Sequence, residues 1–197
     1  MNIRKTSQGK VFERFTSNVL LFAGPHSPFD NWHPTTIRIG RTEFPTSEHA
    51  IFLFGKAMAF GDVASARKAL GRDVRPQDAK RLGRLVSPFD PAEWDRISPS
   101  LSDFVLFHKF AQDDTMKQYL LATDDAIIAE SVAYDRIWGT GVAIDAPGAL
   151  QANSWPGKNG LGQSLMRVRS ILHGAARGDS AGGEHRAKIA SWFDHQF

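Results

Sequence analysis

Proline and glycine interrupt this chain so often that only short elements fit between them. Pro25, Pro28 and Pro34 break one stretch, and Gly40, Pro45, Gly61, Gly71, Pro76, Pro91 and Pro99 break the next. Residues 138–160 are rich in Gly, Pro and Asn and read as one long loop. What remains is a set of short strands and modest helices. The expected fold class is therefore α+β: a mostly helical single domain with a small β-sheet.

The apolar, β-rich run VFERFTSNVLLFA (residues 11–23) reads as a strand, and TTIRIGRTEF reads as a small hairpin turning at Gly40. Pro45, Thr46 and Ser47 open a helix that runs to about Phe60 and stops at Gly61. Further helices fit 62–70 and 76–85, the latter with Pro76 in its first turn. Asp90-Pro91 starts another, which Pro99 is expected to end. Ser100 and Asp103 then resemble a capping box for a separate helix through Phe110. Residues 114–122 also fit a helix, and AIIAESV fits a short strand. Asn159 is expected to cap a last helix over 160–173, closed by Gly174. Residues 1–174 form the expected domain, and 175–197 the linker and C-terminal tail.

The chain has 197 residues, 42% of them hydrophobic. Fourteen Phe and five Trp can fill a core and leave rings for stacking. No cysteine is present, which excludes disulfides and thiolate metal sites. The N-terminus is polar and no run approaches a membrane span, so a cytoplasmic location is expected, with no membrane partner. The formal net charge of +3 suits a phosphate-bearing ligand but falls short of a nucleic-acid stripe.

Three clusters offer chemistry. In FPTSEHAIFLFGKAMAFGD, Glu48 falls in the first helical turn, where the helix dipole favours an ionised carboxylate. That makes it a base or electrostatic stabiliser rather than a proton donor. Lys56 follows on the same helix, about 80° around and about 12 Å along, so two long side chains can meet one ligand. On spacing alone, a helix cap and a solvated lysine explain the pair as well. In the second cluster, Asp135 precedes Trp138, Gly139 and Gly141: a stacking plane, a close backbone approach and a partner for a ribose hydroxyl. A turn packed by one tryptophan fits it too. In the third, Asn159, Gly162 and Gln163 open a helix with Arg167 and Arg169, a phosphate site or an ordinary capped helix. Lys80, Arg81 and Arg84 form a basic face. The histidines show no metal-ligand spacing, His49 reads as structural, and Ser47 lacks the setting of a serine nucleophile.

Taken in order, these blocks resemble the NADAR (YbiA-like) family. The carrying segments are Phe29-Asp-Asn31-Trp32-His-Pro34, Phe44-Pro45-Thr46-Ser47-Glu48-His49, Lys56 with Phe60-Gly61-Asp62, and Ala79 to Arg84. Trp94-Asp95-Arg96, Lys109-Phe110, Asp135 to Gly141, and Asn159 to Gly162 with Leu165-Met166 complete the set. The resemblance spans about residues 20–173. Asp30 departs from it, standing where the family usually has Ser.

The resemblance implies an N-glycosidase acting on a ribose–nitrogen bond, without metal or cofactor. The implied substrates are ADP-ribose on guanine, including ADP-ribosylated nucleic acid, or the ribosylamino-pyrimidine phosphates of riboflavin synthesis. Glu48, Lys56 and Asp135 are the implied catalytic residues, with Lys56 able to form an imine with an opened sugar. Asn31, Trp32, Lys80, Arg84, Trp94, Phe110, Trp138, Gly139, Asn159 and Gly162 are the implied substrate contacts. A non-catalytic ADP-ribose or nucleotide sensor remains the alternative, though it would not need Glu48 or Lys56.

Overall fold

The computed structural model describes residues 1–71 and 73–177. The expected strand at 11–23 is in fact two, β2 (Val11–Phe15) and β3 (Val19–Phe22), paired antiparallel. The turn is tied by the Thr16 hydroxyl, which accepts from Asn18 N and Val19 N. Such local side-chain bonds stop a strand inside an otherwise β-prone run. The polar N-terminus adds an edge strand, β1 (Asn2–Lys5), exposed along its length. A separate hairpin forms from β4 (Ile37–Ile39) and β5 (Thr42–Phe44), as expected around Gly40.

The strand β6 (Ile127–Glu130) joins the first sheet beside β3, in parallel, giving the order β1-β2-β3-β6. Alternate residues of β3 and β6 face opposite sides. Leu20, Phe22 and Ile128 pack against helices; Val19, Leu21 and Ala129 pack under the long loop through Ile144 and Ala149. That loop, expected at 138–160 and ending at Asn159 because Gly160 already belongs to the last helix, is therefore the cover of one sheet face and holds a single 3-10 turn at Ala152–Ser154.

The helices are α1 (Lys56–Ala59), α2 (Val63–Ala69), α3 (Pro76–Gly83), α4 (Pro91–Ala111), α5 (Asp114–Leu121) and α6 (Gly160–Arg177). Pro99 does not end α4: the helix runs through it, and no second helix starts at Ser100. A mid-helix proline costs about 3 kcal/mol. Pro99 lies on the exposed side, while Trp94, Ile97, Leu101 and Val105 form a continuous buried stripe that offsets this cost. Gly174 likewise fails to stop α6, which continues to Arg177. Of the expected linker and tail at 175–197, residues 175–177 belong to α6 instead, and 178–197 lie outside the described residues.

The segment before α1 is a π-helix, His49–Gly55, where a regular α-helix was expected. The Lys56 N–H bonds to the Ile51 carbonyl, the i to i−5 spacing of that form. Two glycines permit it. A Cβ at Gly55 would meet Leu101 of α4, and one at Gly83 would collide with the Phe52 carbonyl. The wide turn thus wedges between α3 and α4. The 100° step used to relate Glu48 to Lys56 does not hold across it.

Candidate active site

The two parallel strands end at the same place. After β3 come Gly24, Pro25 and the loop to Trp32; after β6 come Glu130 and the loop to Trp138. Between these ends and the π-helix opens a cavity of about 510 Å³. In open α/β sheets ligands commonly bind in the crevice at the carboxyl ends of parallel strands, and the single parallel pair β3/β6 forms a comparable crevice here.

The first wall is a loop held from several sides. Ser27 donates to the buried Glu13 carboxylate at 2.6 Å, and Phe29 sits in the core. Asp30 accepts from Gly24 N at 2.9 Å and Trp32 N at 2.8 Å. The Asp30 carbonyl accepts from Lys109 Nζ at 2.8 Å. Lys109 is fully buried, and desolvation pushes its ammonium down to about 7. These ties fix Asn31 and Trp32 on the wall. The Asn31 side-chain oxygen is buried without a hydrogen-bond partner among the described residues, an acceptor left open beside the cavity.

Glu48 sits at the base. It is 5% exposed, its backbone N–H donates to the Asn31 carbonyl, and its carboxylate accepts from Trp32 Nε1 at 3.1 Å. Burial pushes the carboxyl up to about 7, against the pull of Lys80, the Trp32 hydrogen bond and Arg84. This corrects the expectation from the helix dipole. The dipole favours the anion, but desolvation is the larger effect, so Glu48 exchanges its proton near neutrality. His49 next to it is structural, as expected: its ring bridges the Thr46 hydroxyl and the Val74 carbonyl.

Lys56 reaches the same cavity from the start of α1. Its Nζ lies 3.8 Å over the Phe89 ring and 5.5 Å from the Trp94 ring. Burial lowers its pKa, while the ring faces favour the ammonium. Trp94, Phe52 and Trp138 form an aromatic wall, with Phe52 edge-on to both indoles at 6.2 and 5.0 Å. Lys80 and Arg84 of the α3 region complete the lining, Lys80 lying 5.8 Å from the Trp32 ring and 5.9 Å from the Tyr134 ring.

Nine of the expected site residues therefore meet on one cavity: Asn31, Trp32, Glu48, Lys56, Lys80, Arg84, Trp94, Asp135 and Trp138. Asp135 also has a structural task there. Its Oδ1 accepts from Ile137 N at 2.9 Å and Trp138 N at 2.8 Å, which folds the loop that presents Trp138.

Four expected contacts do not line the cavity. Phe110 is a core ring, fully buried against Phe29. Gly139 packs against the carbonyls of Asp135 and Glu130, leaving no room for a Cβ. Asn159, in a left-handed conformation at φ 53°, spends its amide on β6. Its Nδ2 donates to the Ile128 carbonyl at 2.9 Å, and its Oδ1 accepts from Glu130 N at 3.2 Å. Gly162 lets α6 lie directly on the Ile128 carbonyl. All four shape the site from behind.

The cavity also holds residues that the sequence did not mark as contacts, chiefly Asp30, Phe52, Glu130 and Tyr134. One signal existed for Glu130: an acid ending the apolar strand Ile127-Ile128-Ala129, just before a glycine-rich loop.

The chain is similar to several known proteins. The NADAR domain matches residues 20–173. An N-glycosidase of Acanthamoeba polyphaga mimivirus is 32% identical over 151 residues, 75% of this chain and 88% of its own length. The N-glycosidase YbiA of Shigella flexneri serotype 5b is 29% identical over 172 residues, 87% of this chain and 98% of the relative. A riboflavin biosynthesis protein of Vibrio vulnificus is 31% identical over 147 residues, which cover 75% of this chain but 36% of that larger protein. The NMR structure of the E. coli protein YbiA superposes with a TM-score of 0.64 at 26% identity, covering 81% of this chain and 88% of that one.

Proposed function

This chain belongs to the NADAR family, and from that premise we propose that it is an N-glycosidase that hydrolyses the bond between a ribose C1 and a nitrogen of a base. The observation that carries the reading is the Glu48 carboxyl. It is buried in a tryptophan-walled cavity with cations on the rim, and burial pushes its pKa up to about 7. An acid or base poised near the working pH is what proton transfer at neutrality requires.

The substrate class is an N-riboside carrying phosphate at its 5′ end. Two members fit: ADP-ribose attached to guanine, and the ribosylamino-pyrimidine phosphates of riboflavin synthesis. Lys80 and Arg84 supply charge for the phosphate. Trp32, Trp94 and Trp138 supply planes for base and ribose.

As the C1–N bond breaks, its electron pair leaves with the base and C1 takes on oxocarbenium character. Ionised Glu48 stabilises that charge or takes a proton from attacking water. Lys56 offers a second route, in which its unprotonated amine bonds to C1, the opened sugar forms an imine, and water then releases the aldehyde. The fall in its pKa on burial supports this route.

The test is incubation with an ADP-ribosylated guanine oligonucleotide and, separately, with the ribosylamino-pyrimidine phosphates, reading free base and free sugar phosphate by mass. Release from either is the expected result, and from which one assigns the substrate. Tight ADP-ribose binding with no release from either substrate would replace this reading with that of a sensor.

A further inference from the structure

Cleavage of a C1–N bond needs a proton on the leaving nitrogen, and the residues already assigned do not supply it cleanly. Glu48 accepts a hydrogen bond from Trp32 Nε1, and it feels Lys80 and Arg84. All three favour its anion, against burial and Asp30, which favour the acid.

Glu130 is the opposite case. It ends β6 on the cavity wall, and its backbone is pinned from both sides. Its N–H donates to Asn159 Oδ1, and its carbonyl accepts from Thr140 N at 2.8 Å. Its carboxyl receives no hydrogen bond from any described residue. Asp30, Asp135 and Glu48 face it from three separate segments, Tyr134 is a further titratable group nearby, and the cation Lys80 acts against the three acids. Burial and the three carboxylates push it up to about 8. Two carboxyls on one wall thus differ in environment: Trp32 Nε1, Lys80 and Arg84 act on Glu48 against the acid Asp30, while Asp30, Asp135 and Glu48 act on Glu130 against the cation Lys80. Such a pair divides into a base and an acid.

We propose that Glu130 is the proton donor to the leaving nitrogen, with Glu48 as its ionised partner. The inference rests on the reading of the chain as an N-glycosidase. The Glu130 proton passes to the base nitrogen as that nitrogen takes the C1–N electron pair. Water, or the Lys56 amine, bonds to C1. On the water route Glu48 accepts the proton that water loses, and Glu130 regains its own from solvent, so the net change is hydrolysis. Asn159 then acts as a positioning residue, holding the backbone that aims Glu130.

Glu130→Gln keeps the shape and removes the proton. On an N-riboside substrate kcat should fall roughly 10²- to 10⁴-fold with KM little changed, and the alkaline limb of the pH profile should disappear. A p-nitrophenyl riboside 5′-phosphate needs no proton on its leaving group, so its cleavage should stay near the wild-type rate. Equal losses on both substrates, or an alkaline limb that survives, would overturn the assignment. If Glu130→Gln does not fold, the wild-type enzyme still decides. A rate nearly independent of leaving-group basicity supports a proton donor, and a steep dependence refutes one. Should wild-type protein cleave no N-riboside at all, the proposed function itself fails, which is a distinct outcome.

Discussion

Trp32 Nε1 donates to Glu48 Oε2 across 3.1 Å, joining a loop after β3 to the start of the π-helix. The bond favours the anion of a carboxyl that burial would otherwise keep protonated. Trp32→Phe keeps a ring and deletes the donor, so the Glu48 pKa should rise further. A charge-assisted hydrogen bond contributes about 1.5–3 kcal/mol, so the acid limb of kcat/KM should move up on the order of one pH unit. Activity should therefore drop more at pH 6 than at pH 8. An acid limb that stays in place would show that Glu48 is not the group titrating there.

Glu48→Gln should inactivate the enzyme and stabilise it. Folding moves this carboxyl from 4.5 up to about 7, so between those values the folded chain holds a proton that the unfolded chain has released. Stability from this group falls as pH rises through that interval and stays lost above it. A neutral amide escapes the loss and still accepts from Trp32. The variant should be more stable than wild type at pH 8 by on the order of 3 kcal/mol, and close to it near pH 4. Melting curves at the two pH values check this; a lower melting temperature at pH 8 would contradict it.

The parts of this site that were legible in the sequence are those whose chemistry is local. Pro45 to Glu48, Asp90-Pro91 and the Gly40 turn have signatures within a few residues, and the hairpin and helix starts followed from them. Glu130 did not stand out, and Lys109 entered only as part of the resemblance with no role attached, because their importance comes from distant partners. Asp30 reaches Lys109 across 79 positions. The π-helix depends on Gly83 of α3 and Leu101 of α4 accepting a close approach. Pro99 misled for the same reason: a buried stripe spanning both sides of it outweighs a local breaker. Asn159 and Gly162 misled in the other direction. Their residue types suit phosphate, but β6 already occupies them.

Lys56 should be trapped covalently if the imine route operates. Substrate plus borohydride should give a stable adduct, found by intact mass and mapped to Lys56, and absent from Lys56→Ala. Lys56→Arg keeps the charge above Phe89 and cannot form the imine readily, so it separates chemistry from electrostatics. Activity surviving in Lys56→Arg, with no adduct in wild type, would assign the residue to charge alone and leave water attack assisted by Glu48.

Gly162→Ala distinguishes a packing glycine from a ligand-binding one. An added methyl would collide with the Ile128 carbonyl and press on the Asn159 amide at 2.5 Å. Both are backbone or backbone-anchored, so neither can swing aside, and α6 must lift from β6. Overpacking of this kind costs about 1–3 kcal/mol. For a chain of this length that lowers the melting temperature by about 2–4 °C per kcal/mol. The substrate should not sense the methyl directly, since Gly162 is behind the cavity wall, so KM of the folded protein below its transition should change little. Any loss in kcat should follow from a displaced Asn159, which holds the Glu130 backbone. A raised KM with an unchanged melting temperature would reverse this assignment and return Gly162 to the substrate contacts.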